Sequence, residues 1–105
     1  MKMKVLDLCC GEVMRMSVKE FFEDMECKSM KEYVENVMFG SLDVVDFDYD
    51  DVDKNVFVLD DGGDILRLKN GEYVNVCWRD DECRVWKEDN EEVIEMLNEM
   101  LRIKK

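Results

Sequence analysis

The chain has 105 residues, with 27 acidic and 15 basic side chains and no histidine. The resulting net charge of −12 disfavours direct contact with nucleic-acid backbones or anionic membranes and favours basic protein surfaces or cations. Hydrophobic residues make up 47% of the chain, enough for one modest core, yet no run approaches the roughly 20 apolar residues that span a bilayer and no secretory signal opens it. The expectation is a single acidic α+β domain over residues 1–105, located in the cytoplasm.

In chain order, residues 3–9 predict a short strand and a helical segment follows it. The stretch beginning at Ser17 (Ser-Val-Lys-Glu-Phe-Phe-Glu-Asp-Met) is echoed twelve residues later from Ser29 (Ser-Met-Lys-Glu-Tyr-Val-Glu-Asn-Val). Each copy has Glu three residues after Ser, the spacing at which the two side chains cap a helix start. A twelve-residue repeat turns a helix by about 120°, so Phe21, Phe22 and Met25 cannot share one straight stripe with Tyr33, Val34 and Val37. The pattern predicts two short consecutive helices with a break near Cys27 and Lys28. Neither has the basic surface of a DNA-reading helix pair.

After Leu42 the period becomes two. Val45, Phe47 and Tyr49 alternate with Asp46, Asp48 and Asp50, which predicts a strand with one wet face. Runs at 55–60, 64–69, 72–78 and 83–87 predict further strands, with turns at Gly62-Gly63 and Asn70-Gly71. Asp89 or Asn90 then caps a final amphipathic helix carrying Val93, Ile94, Leu97, Met100 and Leu101, and Lys104 and Lys105 suit its C-terminal end. The fold class expected is α+β: an antiparallel sheet of about four to six strands, preceded by two short consecutive helices and followed by one C-terminal amphipathic helix.

The acidity is concentrated. Residues 41–66 carry one basic and nine acidic side chains, and all nine are aspartates: Asp43, Asp46, Asp48, Asp50, Asp51, Asp53, Asp60, Asp61 and Asp64. On a strand, Asp46, Asp48 and Asp50 would stand about 6.6–6.8 Å apart on one face, a repelling row that solvent, a cation or a basic partner must offset. These nine residues are the candidate partner-binding set for a basic protein surface. A carboxylate row at that spacing is comparable with successive phosphates, so an inhibitor or adaptor that mimics nucleic acid is one form of this function. The solvated alternative is a face that keeps an edge strand from pairing with another chain.

A calcium- or magnesium-binding domain is the second function class. Asp46-x-Asp48-x-Asp50 imitates the first half of an EF-hand loop, but Asp51 stands where Gly is required and Phe57 where the bidentate Glu is required. No metal ligands are assigned, and no cofactor is expected. Cys9, Cys10, Cys27, Cys77 and Cys83 form no Cys-x-x-Cys pair and have no histidine to complete a zinc site. Cys77 and Cys83 flank a turn at 79–82 and could face one another, as a disulfide or as reduced thiols. Trp78 and Trp86 are expected to anchor the core, with exposed contact residues as the alternative.

Without histidine or threonine, no nucleophile–base pair is evident, and the expectation is a non-enzymatic protein. Lys4-Val5-Leu6-Asp7-Leu8-Cys9-Cys10-Gly11 resembles the first motif of class I S-adenosylmethionine-dependent methyltransferases, with Val13 in the place of a further Gly, and the resemblance implies a strand running into a cofactor-holding turn. Asp43 to Asp48 faintly resembles the acidic end of that family's second strand. A degenerate methyltransferase-like enzyme is therefore the third function class. Ala, Pro, Thr, His and Gln are all absent, and each requires cytosine at the first or second codon position. That bias suggests a skewed genome such as that of a virus or mobile element.

Overall fold

The computed structural model describes residues 2–23 and 27–102. Met25 of the first repeat, and Lys104 and Lys105, lie outside them. Six strands form one sheet in the order β2-β1-β3-β4-β5-β6: β1 Lys2–Asp7, β2 Glu12–Ser17, β3 Val56–Asp60, β4 Gly63–Arg67, β5 Tyr73–Arg79 and β6 Glu82–Lys87. Three helices among the described residues, α1 Val18–Glu23, α2 Met30–Gly40 and α3 Glu91–Met100, complete the α+β fold. The sheet is mixed: β1 pairs parallel with β3, and the other neighbours are antiparallel. This corrects the purely antiparallel expectation.

Strand alternation divides the apolar residues between two cores. Met3, Val5, Phe57, Leu66, Val74, Val76, Cys83 and Val85 pack with Phe21, Phe22, Tyr33, Val34 and Val37 from α1 and α2. Leu6, Val56, Val58, Ile65 and Tyr73 pack on the opposite face with Leu97 and Leu101 of the α3 region. The twelve-residue repeat does mark two helix starts. Ser17 Oγ accepts from the Glu20 amide at 3.1 Å and Ser29 Oγ from the Glu32 amide at 3.1 Å. Glu32 reaches back to the Lys28 amide at 2.9 Å, one residue before the cap. Asn90 caps α3 by accepting from the Glu92 amide at 3.0 Å, and Lys4 Nζ donates to the Leu101 carbonyl at 2.9 Å, placing a cation at the C-terminal end of α3.

Two elements depart from expectation. Residues 12–17 form strand β2, an element the sequence pattern did not assign between the strand at 3–9 and the helix start at Ser17, because the turn through Leu8–Gly11 folds the chain back on β1 with Gly11 at φ +71°. The strand resembling a methyltransferase motif therefore ends in a hairpin, with no helix after it. Residues 44–48 pair in no strand. The period-2 burial survives there, with Phe47 buried, Val45 and Tyr49 partly so and Val44, Asp46, Asp48 and Asp50 exposed, but on an extended segment outside the sheet that ends in a single 3₁₀ turn at Tyr49–Asp51. Alternation reports which side is wet, and hydrogen-bonding partners decide whether the segment is a strand.

Register also settles the cysteines and tryptophans. Cys83 lies opposite Trp78 and Cys77 opposite Arg84, so the two thiols project from opposite faces of the β5–β6 hairpin and both are free. Trp78 packs against the α1/α2-side core, whereas Trp86 is exposed.

Candidate protein-binding face

The nine aspartates do not share one face. Three are tied into the fold. Asp43 receives Arg84 Nε at 2.9 Å and Nη2 at 3.0 Å, a bidentate pair, and also the Val85 amide at 2.9 Å. The Arg84 guanidinium and the Val85 N–H together hold its carboxyl below the usual carboxylate range. Asp53 pairs with Arg67 at 2.9 Å and accepts from the Asn55 amide at 3.0 Å. Asp64 accepts from the Tyr33 hydroxyl at 2.5 Å across the α2–β4 contact. Burial pushes the Asp64 carboxyl above its ordinary range, and the Tyr33 bond opposes that shift. Burial and the adjacent Asp64 push the Tyr33 hydroxyl up as well.

The Asp43 contacts belong to a larger arrangement. Ser41 bridges parallel to Cys83, and the Leu42 amide donates to the Cys83 carbonyl at 2.9 Å. Residues 41–43 thus run alongside β6 and occupy the outward Cys83 carbonyl and Val85 amide. An edge strand left open invites pairing with another chain, and here a carboxylate and a short length of backbone fill that edge.

The other aspartates fall into two groups at opposite ends of β3. Asp46, Asp48, Asp50 and Asp51 precede the strand. Asp48 accepts from the Asp50 amide at 2.9 Å, while Asp51 accepts from the Asp48 amide at 3.0 Å, a reciprocal cap that stiffens the turn. Two backbone bonds fasten this region to β4 and its following turn: the Lys69 amide to the Asp51 carbonyl, and the Asp53 amide to the Arg67 carbonyl, both at 2.8 Å. Lys54 Nζ lies 4.2 Å from the Tyr49 ring centre. Asp46 and Asp51 line a cleft of about 310 Å³ with Phe47, Lys69, Glu72 and Lys87, where Lys87 pairs with Glu72 at 2.9 Å.

Asp60 ends β3 and Asp61 follows it, beside Asp7 and Cys9. Partial desolvation, then Asp7, Asp61 and Asp60, push the exposed Cys9 thiol up, so it stays protonated at neutral pH and is a poor nucleophile. Among the described residues no three His, Cys, Asp or Glu side chains come together as metal ligands. The EF-hand-like spacing is spent on an extended segment and a turn.

Sequence reasoning missed the apolar side chains next to the carboxylates. Phe39 is 96% exposed, Leu42 63% and Val44 92%, all within seven residues of Asp46. Leu42 also lines a shallow cavity of about 470 Å³ with Arg79, Arg84 and Trp86. The paired valines Val44-Val45 are the one signal that could have marked it: only one of two neighbours on an extended segment can face the core. No helix among the described residues is long and apolar enough to cross a membrane. Comparison with protein-family models, with curated proteins and with solved structures finds no match for this chain.

Proposed function

We propose that this protein is a non-enzymatic interaction module that engages a basic surface of a partner protein through the strip from Phe39 to Asp51. One observation carries the reading: exposed apolar side chains (Phe39, Leu42, Val44) run directly into exposed carboxylates (Asp46, Asp48, Asp50), which alternate with the inward anchors Val45, Phe47 and Tyr49. Apolar contacts supply affinity at such a surface, and the acids supply steering and choice of partner. The contact set is smaller than the nine aspartates. Asp43, Asp53 and Asp64 hold the fold, and Asp60 and Asp61 stand at the far end of β3. A basic groove that otherwise holds nucleic acid is one surface with the required chemistry, since Asp46 and Asp48 on extended backbone reproduce a spacing of about 7 Å.

Charge-matched variants test the reading. Titrating an arginine-rich peptide with apolar residues should give salt-sensitive binding that Asp46→Asn/Asp50→Asn weakens about five- to tenfold. Asp60→Asn/Asp61→Asn, with the same loss of charge, should change it less than twofold. Equal weakening by both pairs would reduce the effect to net charge and remove the strip as a site.

A further inference from the structure

The opposite edge of the sheet has the reverse character. Lys4 and Leu8 donate their amides toward the β3 side, to Asn55 and Leu59. The backbone groups of Met3, Val5 and Asp7 therefore face β2, where they meet Met16, Met14 and Glu12. By the same alternation, the amides and carbonyls of Val13, Arg15 and Ser17 point away from the sheet. Strand β2 is paired on one side only, has no proline or bulge, and leaves Val13 41% and Met14 37% exposed. None of the devices that close β6 is present here.

The charge here is also reversed. Residues 2–19 contain four cations (Lys2, Lys4, Arg15, Lys19) and two acids (Asp7, Glu12), a net of +2 within a molecule of −12. The register places Lys4 beside Arg15 and Lys2 beside Ser17, on the face that carries α3. Among the described residues Lys2, Lys4 and Arg15 form no ion pair, and the one hydrogen bond among their side chains is that of Lys4 to Leu101. Met14 and Met16 line the other face, Met16 against the core. Like charges directly opposite across strands destabilise unless a neighbour offsets them.

We propose that the β2 edge is a docking edge for an extended segment of a partner protein in which acidic and apolar residues alternate. The partner's backbone completes the hydrogen bonds of Val13 and Arg15. Its acids lie over Arg15 and Lys4, and its apolar residues lie beside Met14 and Met16. Pairing with a second copy fits less well. Antiparallel self-pairing sets odd-numbered residues against odd-numbered ones, so Arg15 of each copy would meet Val13, Arg15 or Ser17 of the other, with Lys4 or Lys2 alongside, and cations would gather without an acid. The distant aspartates do not prevent an acidic segment from binding, because at physiological salt charges are screened within about 8 Å.

A blocked peptide with the sequence of residues 44–50 (Val-Val-Asp-Phe-Asp-Tyr-Asp) has the required alternation and serves as probe. Added to the full chain, it should bind saturably and slow exchange of the Val13 and Arg15 amides about tenfold, while the same peptide with Lys for Asp should not. Val13→Pro removes an outward donor the monomer does not use, and Arg15→Glu reverses the charge. Each should weaken binding about tenfold without changing the circular dichroism of the chain. If the proline variant fails to fold, Arg15→Glu carries the same test. Three results would overturn the proposal: no slowing at millimolar peptide, equal affinity for the lysine peptide, or slowing that depends on protein concentration alone, which would assign the edge to a second copy.

Discussion

At the β6 edge the outward Cys83 carbonyl and Val85 amide are taken by Leu42 and Asp43, whereas on the far side of the sheet the outward groups of Val13 and Arg15 face no further strand among the described residues. The closed edge is flanked by the Asp-rich strip and the open edge by lysine and arginine. Acidity here falls into two kinds. Asp43 places its charge on Arg84 and the Val85 amide, closing an edge, whereas Asp46 and Asp50 are exposed.

The centre of the sheet, which holds the two edges together, is the place where the largest effect is expected. A methyl at Gly63 would run into the Val76 carbonyl of β5. Gly63→Ala should therefore cost about 1–3 kcal/mol in denaturant unfolding, as overpacking against rigid backbone does. Next comes the closed edge itself. Asp43→Ala strips Arg84 and the Val85 amide of their acceptor, and sedimentation should reveal a concentration-dependent species that the unaltered chain lacks. A smaller effect is expected near the open edge, where Lys4→Met removes the cation from the Leu101 carbonyl and should cost about 0.5–1 kcal/mol, falling with salt. Smallest of all, Val13→Pro should leave unfolding within about 0.5 kcal/mol of the original chain, because the lost amide bonds nothing.

Asp43 and Asp64 also differ in sign with pH. The Asp43 carboxyl is held below its ordinary value by Arg84 and Val85, so its contribution is present above the unfolded value near 3.8 and is lost as pH falls through the lower folded value. The Asp64 carboxyl is raised by burial, so its contribution is present below 3.8 and is lost as pH rises through the higher folded value. Asp64→Asn should accordingly gain on the original chain as pH rises from 4 toward neutrality, in melts compared across that range. A gain that is the same at every pH would deny the raised carboxyl.

Much of this was legible in the sequence, for local reasons. Ser17 and Ser29 mark helix starts because capping involves residues three apart, and the β3–β4 and β5–β6 hairpins follow from short turns between alternating runs. In the last of these turns Asp80 and Asp81 take φ of 50° and 68°, without glycine. What was hidden depends on distant partners. Glu12 to Ser17 has the methionine and glutamate content of a helix, and only the return on β1 makes it a strand. The parallel pairing of β1 with β3 joins segments some fifty residues apart, which no local pattern encodes. The aspartates looked equivalent because their partners, Arg84, Arg67 and Tyr33, lie on other elements.

Residue-resolved amide exchange of the chain by itself tests the contrast between the edges most directly. Val85, bonded to the Asp43 carboxylate, is expected to exchange slowly in the original chain and fast in Asp43→Ala, while Val13 and Arg15 exchange fast in both. Equal exchange of Val85 and Val13 in the original chain would contradict this.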